Sequence, residues 1–393
     1  MMIAFCYESV FPSRGGCATY ITDLARKLLA DEHEVQLYAC RWDENALPEG
    51  IAYRRLPAPR GPRFLKPWRF AAACNEALAG GDHHVSIGFD KTYGQDVLYP
   101  QGGLHAASHV HNLNKHRSPL VRCLAALVKA VDPAHRSYAR LERKQYLGSE
   151  RPLMVAISSM VWNHFQHFYG INADDLRLVR TAIDPARFPE HDRLRCRMEG
   201  REQWGIGPNE TVGLILAMNY HLKGLEPLLY AVRRLVSQHP AAHAFRLLVA
   251  GSPKYAAYQK LARRLGIDKH ICFAGFCGEA RQAYFAADFL VHPTFYDPCS
   301  LVVLEALACG LPVITTRYNG ASEFLTPPRE GYVIDDPHDQ NQLAWCMGQL
   351  LEPSRRSACA QAARRTAAQW TFDHHYRNIL QVFTEAAARR RAA

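Results

Sequence analysis

The sequence has no run of about 20 apolar residues, so no part of it reads as a bilayer-spanning helix. Its opening, Met1-Met2-Ile3-Ala4-Phe5-Cys6, lacks the basic segment of a secretory leader and reads as a buried strand. A soluble, cytoplasmic protein is the expectation. Its 12 cysteines include no CxxC pair, and the two nearest in sequence, Cys272 and Cys277, have no further ligands at zinc-site spacing. A disulfide scaffold and a metal centre are thus both disfavoured, and reduced structural thiols are expected. No internal repeat is visible, nor any low-complexity tract beyond the Ala- and Arg-rich tail, nor a nucleic-acid-binding module. Gly15-Gly16 lacks the third glycine of a dinucleotide fingerprint, which argues against an NAD-dependent dehydrogenase.

The chain is 393 residues long and 48% hydrophobic, enough for two domains that each bury a core. Short apolar runs at 3–7, 35–39, 85–89 and 153–157 alternate with segments of helical spacing, such as Ile21, Leu24 and Leu28. The same rhythm restarts at 212–217, 245–250, 271–274, 289–292 and 312–316. Strands alternating with helices predict parallel sheets, so the fold class is α/β with two doubly wound, Rossmann-like domains. The turn-rich stretch Asp184-Pro185-Ala186-Arg187-Phe188-Pro189 and the charged residues that follow to Glu202 are poor core material. They place an N-terminal domain at 1–185 and a C-terminal domain at 186–369. Residues 370–393 form a final helix with apolar Ile379, Leu380, Val382 and Phe383, expected to pack back on the N-terminal domain. Ligands of such domains sit at the carboxyl ends of the strands, which makes the cleft between the two the expected site.

The formal charge of +10 is partly local. Between Tyr53 and Phe70 stand Arg54, Arg55, Arg60, Arg63, Lys66 and Arg69, interleaved with Leu65, Trp68 and Phe70, without one acidic residue. This composition suits an anionic membrane surface, and a solvated basic loop accounts for it equally well.

The segment 287–306 runs a strand into a loop and a helix. Asp297 fits an N-cap, Pro298 the first helical position, Gly310 the position past the end, and Pro312 the stop. On that reading the first-turn amides of Cys299, Ser300 and Leu301 are unpaired within the helix and can donate to a diphosphate or to sugar hydroxyls. Asp297 and Glu305 would then stand roughly 12 Å apart along one side of the helix. That is too far for a glycosidase carboxylate pair and suits two acids gripping opposite ends of an extended ligand. Spacing alone leaves a structural ion pair open for Glu305.

These residues resemble glycosyltransferase family 4, which includes bacterial lipopolysaccharide core glucosyltransferases of the GT-B fold, two Rossmann-like domains facing each other across a cleft. The resemblance rests on an acid, seven residues and a Glu at a strand-to-helix junction, followed by Ala306-Leu307-Ala308-Cys309-Gly310-Leu311-Pro312-Val313. It implies that Glu305 binds the ribose hydroxyls and that Asp297, where the family usually has Glu, contacts the transferred sugar. Lys223, before Gly224, matches the cation that holds the donor diphosphate and stabilises it as leaving group. The second cation common in relatives falls at Leu222 or Met218, which leaves His221 or Arg14 as replacements. Phe11-Pro12-Ser13-Arg14-Gly15-Gly16 resembles the family's glycine-rich loop, placing Gly15 and Gly16 beside the donor. Gln101-Gly102-Gly103-Leu104-His105 resembles a loop whose His approaches the sugar, which makes His105 the candidate for stabilising it. Ser158-Ser159 and Thr181-Ala182-Ile183-Asp184 resemble the family's domain-junction signature, with Thr181 and Ala182 as departures.

The resemblance implies a retaining front-side substitution that needs no metal, cofactor or protein nucleophile. The donor is a nucleotide sugar, with UDP-glucose the first choice, and the acceptor a glycan or glycolipid such as a lipopolysaccharide core. Localisation is expected in the cytoplasm, on the inner face of the membrane if the basic stretch docks there. Two rivals remain: a nucleotide-sugar epimerase of similar architecture, and a non-enzymatic glycan-binding or membrane-docking protein.

Overall fold

The computed structural model describes residues 1–148 and 152–392, the side chain of Arg14 excepted. It divides into two units, Met1–Thr181 with Asp373–Ala393, and Ala182–Phe372. The chain passes from one to the other just before the Asp184-Pro185 turn.

The first unit is built on a parallel sheet of β1 (Met2–Cys6), β2 (Glu34–Ala39), β3 (Ala52–Arg55), β4 (Val85–Phe89), β5 (Val97–Tyr99), β6 (Leu153–Ala156) and β7 (Leu176–Leu178). Their spatial order is β3-β2-β1-β4-β5-β6-β7. The central strands are mostly apolar because helices cover both faces, and Ile3 pairs with Val35 on one side and Val85 on the other. The helices are α1 (Gly16–Ala30), α2 (Lys66–Ala79), α3 (His105–Leu113), α4 (Pro119–Val131), α5 (Pro133–Leu147) and α6 (Ser159–Tyr169). Ile21, Leu24 and Leu28 of α1 are fully buried, as their spacing requires.

The second unit holds β8 (Thr211–Ala217), β9 (Phe245–Gly251), β10 (Ile271–Gly275), β11 (Phe289–His292), β12 (Val313–Thr316) and β13 (Gly331–Ile334), in the parallel order β10-β9-β8-β11-β12-β13. Around it lie α7 (Arg193–Gln203), α8 (Leu225–Gln238), α9 (Ala256–Arg264), α10 (Ala280–Ala286), α11 (Leu301–Ala308), α12 (Gln340–Leu351) and α13 (Pro353–Gln369). Leu225, Leu228, Leu229, Val232 and Leu235, at helical spacing on α8, join Phe245, Phe289 and Met347 in one core.

Two expectations change here. The charged stretch up to Glu202 is packed structure: Arg201 of α7 is buried, and it and Arg197 bind the two oxygens of Asp288 at 2.9 and 2.8 Å. The buried charges are tolerated because they are paired. Strands β3, β5, β7 and β13 were not anticipated from the sequence.

The final helix α14 (Phe372–Ala392) belongs, from Asp373 on, to the first unit. Ile379, Val382 and Phe383 are buried there, and the Phe383 ring lies edge-on to Phe5 of β1 at 6.5 Å. His375 is buried; its Nδ1 lies 2.8 Å from the Arg180 carbonyl and its Nε2 2.7 Å from the Tyr20 hydroxyl. A carbonyl only accepts, so Nδ1 carries the proton and Nε2 accepts from Tyr20. Arg177 binds both oxygens of Glu385, at 2.9 and 2.6 Å. None of the 12 cysteines is in a disulfide, and among the described residues no helix is long and apolar enough to cross a membrane.

Candidate functional site

In the second unit the strand order reverses between β8 and β11, where a doubly wound sheet opens a crevice at its carboxyl edge. The loops that follow these strands carry Lys223 and Asp297. They are tied together: the Phe295 amide donates to the Leu222 carbonyl at 3.0 Å. Gly224 allows this approach, since it adopts φ +74° and a Cβ there would lie 2.2 Å from the Pro293 carbonyl oxygen. Lys223 is thereby delivered to Asp297, with Nζ 2.5 Å from Oδ2, and its Nζ also lies 3.4 Å from the Tyr296 carbonyl. Burial pushes the Asp297 carboxyl up, but the Lys223 ammonium and His292 outweigh it and hold the group below the usual carboxylate range.

His292, at the end of β11, is buried, with Nε2 3.6 Å from Asp297 Oδ2, and among the described residues neither ring nitrogen has a partner within hydrogen-bond distance. Burial lowers its pKa and keeps the ring neutral. The sequence reading placed the strand that carries His292 but missed the residue itself. Its signal was a polar residue closing an otherwise apolar strand.

The helix after this loop starts later than its cap chemistry suggests. Asp297 pairs instead with the loop after β12, its amide donating to the Tyr318 carbonyl at 2.9 Å and its carbonyl accepting from the Gly320 amide at 2.8 Å. Helix α11 begins at Leu301, with Ser300 as N-cap. The roughly 12 Å helical spacing reckoned for Asp297 and Glu305 therefore does not apply, because only Glu305 is on the helix. Nor is the Ser300 amide unpaired: it donates to Asn319 Oδ1 at 3.2 Å, and buried Asn319 also accepts from the Ala321 amide at 3.0 Å. Cys299 is buried, and Leu301 half-buried. The far end of the helix follows expectation, with Gly310 at φ +68°.

Glu305 lies on α11 with its side chain 12% exposed. The Tyr284 hydroxyl donates to Oε2 at 2.6 Å, and Arg187 Nη1 lies 3.7 Å from Oε1. Both oxygens are engaged within the unit, one firmly and one by a loose ion pair with a more exposed partner. Met218 and His221 are exposed and Leu222 half-buried, while the Arg14 side chain lies outside the described residues.

In the first unit the strand order reverses between β1 and β4, and a cavity of about 460 Å³ opens there. Tyr7, Phe70 and Tyr138 give it aromatic walls; Glu8, Asp90 and Lys91 give it charge. Asp90 adopts φ +61°, uncommon for a residue with a side chain, and its Oδ1 accepts from the Gly102 amide at 2.8 Å. Burial raises its carboxyl, with Gly102 and Lys91 only partly opposing.

His105, the first residue of α3, lines the same cavity. Its amide and that of Ala106 donate to the buried carboxylate of Glu142, which also accepts from the Tyr169 hydroxyl. A carboxylate at this position satisfies the open end of α3. Its imidazole is pushed down to about 4, by burial first and then by neighbouring His135, Lys91, His109 and Lys129. Gly15 and Gly16 lie where α1 begins; Gly15 is extended at φ 172°, and a Cβ there would meet nothing within 4 Å. The protein's own packing does not demand glycine at position 15. Lys223 and Asp297 are thus brought into contact in the second unit, which also carries Glu305, while His105, Gly15 and Gly16 belong to the first.

Arg54 and Arg55 lie in edge strand β3, where the Arg55 guanidinium stacks on Trp42 at 4.6 Å. Phe70 is buried, and Trp68 Nε1 donates to Ser137 Oγ at 2.9 Å. The aromatic residues that made this stretch suit a membrane are engaged with the protein. The apolar surface is elsewhere: α4 buries none of its residues and exposes Leu120, Val121, Leu124, Leu127, Val128 and Val131.

Comparison with known proteins matches residues 14–187 to the family described as Glycosyltransferase Family 4 and residues 209–353 to Glycosyl transferases group 1. The lipopolysaccharide glucosyltransferase WaaG of Escherichia coli K12 is 24% identical, over 93% of this chain and 94% of its own. The D-inositol 3-phosphate glycosyltransferase of Acidothermus cellulolyticus is 25% identical, over 96% and 87%. The crystal structure of WaaG superposes with a TM-score of 0.82 at 23% identity, covering 97% of this chain and 99% of WaaG. That of Anabaena HepE with UDP-glucose gives 0.69 at 16% identity and covers both chains fully, 100% and 100%. These solved structures share the two-domain fold of parallel sheets found here.

Proposed function

We propose, for a chain that belongs to glycosyltransferase family 4, a retaining hexosyltransferase that moves a sugar from a nucleotide diphosphate to a glycan or lipopolysaccharide-core acceptor without a metal. The observation that carries this reading is the Lys223–Asp297 pair at the strand-order reversal of the second unit. In the resting protein each neutralises the other. When a donor arrives, its sugar hydroxyls take over Asp297 and Lys223 turns to the diphosphate, where its charge stabilises the leaving group as negative charge builds. Glu305 exchanges its loose contact with Arg187 for the ribose hydroxyls and keeps the bond from Tyr284. The amides of Cys299, Ser300 and Leu301 complete the diphosphate site, Ser300 by exchanging Asn319 for the ligand. His105 meets the sugar, and Gly15 and Gly16 let the backbone approach it.

On this reading the acceptor hydroxyl attacks the face that the diphosphate leaves, and the departing phosphate takes its proton. The glucosyltransferase among the relatives and the UDP-glucose complex among the similar folds support UDP-glucose as first donor to test. The cavity of the first unit suits the acceptor, because aromatic faces and carboxylates are what a sugar ring and its hydroxyls pack and bond against. Docking at an anionic membrane face falls to α4 rather than to 53–70: its apolar residues are exposed, and no acidic residue occurs between Asp96 and Asp132.

The test is product analysis with a panel of nucleotide sugars, with and without lipopolysaccharide-core acceptors, in EDTA. Donor cleavage that depends on acceptor and is lost in Lys223→Ala and Glu305→Ala supports the reading. An isomerised sugar formed from donor alone would identify an epimerase instead, and glycan affinity without nucleotide-sugar affinity a binding protein.

A further inference from the structure

His105 does not stand alone. Its Nε2 lies 3.0 Å from Nδ1 of His135 on α5, and the ring of His109, one turn along α3, packs against His135 at a tilt with centroids 4.2 Å apart. Among the described residues, Nδ1 of His105 has no hydrogen bond to protein, and His105 is one of the residues that line the cavity. The remaining charged and titratable groups around the pair are Lys91 after β4, Lys129 on α4, and Asp132, Tyr138 and Glu142 at α5. From α6, His164 faces His111 rather than this pair. Burial and the neighbouring cations lower all three imidazoles, so at neutral pH they are uncharged.

Two neutral imidazoles whose nitrogens face each other at this distance must share a single proton between those nitrogens. If His135 Nδ1 is bare, His105 donates from Nε2 and shows a bare Nδ1. If His135 Nδ1 carries the proton, His105 accepts at Nε2 and shows an N–H at Nδ1. The partner of one ring nitrogen therefore decides what the other can do.

We propose that His135 is a positioning residue that fixes the tautomer of His105, holding its proton on Nε2 so that Nδ1 faces the cavity as an acceptor for a sugar hydroxyl. The half-exposed His135 keeps its own proton on Nε2, the tautomer an imidazole prefers in water, which leaves Nδ1 to accept. No bond to carbon forms or breaks in this step; a hydroxyl proton is shared with Nδ1 and stays on its oxygen. His109, packed against His135 with the ring planes tilted by 38°, restrains the ring in the orientation the contact needs. This inference rests on the reading that His105 meets the sugar.

The experiment is long-range ¹⁵N–¹H NMR of the imidazoles in the full chain, with His105 assigned by its absence in His105→Gln. It is run on wild type, His135→Asn and His135→Gln. An Asn amide falls near the Nδ1 position of the ring it replaces, and a Gln amide nearer Nε2. The expected result is a His105 Nε2–H tautomer in wild type and His135→Asn, and a mixture in His135→Gln. In the same series kcat should fall about tenfold or more in His135→Gln with little change in donor KM, and recover in His135→Asn. An unchanged His105 spectrum in His135→Gln, or an Nδ1–H tautomer in wild type, overturns the proposal. Full activity in His105→Ala would overturn the role of His105 instead, and leaves the NMR result readable.

Discussion

Replacing Leu120, Leu124 and Leu127 together by serine should detach the protein from anionic vesicles while leaving the fold intact. These side chains are 83%, 62% and 61% exposed, and α4 buries no residue. Fully burying a leucine contributes about 2 kcal/mol, so at these exposures the three together offer roughly 4 kcal/mol on complete immersion. A helix lying at headgroup depth realises about half of that, or ~2 kcal/mol, which is about a 30-fold change in partition. The assay is co-sedimentation with phosphatidylcholine vesicles containing phosphatidylglycerol, beside a melting curve and turnover of a water-soluble acceptor. Partition should fall by that order, with Tm and soluble turnover unchanged. Partition within twofold of wild type would refute membrane docking by α4. A Tm lower by several degrees would refute the premise that the face is unpacked.

Other outcomes follow from single contacts. Gly224→Ala should lower Tm by several degrees and weaken donor binding, because its Cβ would collide with the Pro293 carbonyl and strain a left-handed residue; a Tm equal to wild type contradicts that packing. Arg201→Met leaves Asp288 with one cation and should cost about 3 kcal/mol or more by denaturant titration, whereas a near-neutral result would mean that Arg197 alone suffices. Buried His375 is lowered to about 4, by burial first, so the unfolded chain takes up its proton earlier as pH falls. The resulting stability, on the order of 3 kcal/mol, is present above pH about 6.5 and lost between there and about 4. His375→Gln should flatten that part of the stability-versus-pH curve, and an unaltered slope would assign it elsewhere. Asp297 acts with the same sign in a more acidic window: held low by Lys223, its contribution persists above about pH 4 and fades only below, and Asp297→Asn should remove that acid limb.

The architecture was legible because buried parallel strands are predominantly apolar and short. The runs at 85–89 and 289–292 match β4 and β11 residue for residue. Strand β5 was not legible, since three residues before Pro100 carry too little pattern to register. At the site, Gly310 fixed the end of α11, but Asp297-Pro298 misled about its start. A good cap sequence was overridden by pairing with the loop at Asn319, a partner that local sequence does not announce. The His135 contact is of the same kind, 30 residues from His105. Helix α4 was not read from the sequence at all, and only the fold reveals that its apolar side chains stay exposed among the described residues.

The most direct measurement is a calorimetric titration of UDP and UDP-glucose, in EDTA, into wild type, Lys223→Ala and Glu305→Ala. The account predicts binding of both ligands to wild type, a loss of about tenfold or more for each ligand in each variant, and native melting behaviour in the absence of ligand. Donor affinity unchanged in both variants would contradict the placement of the nucleotide sugar beside Lys223, Asp297 and Glu305.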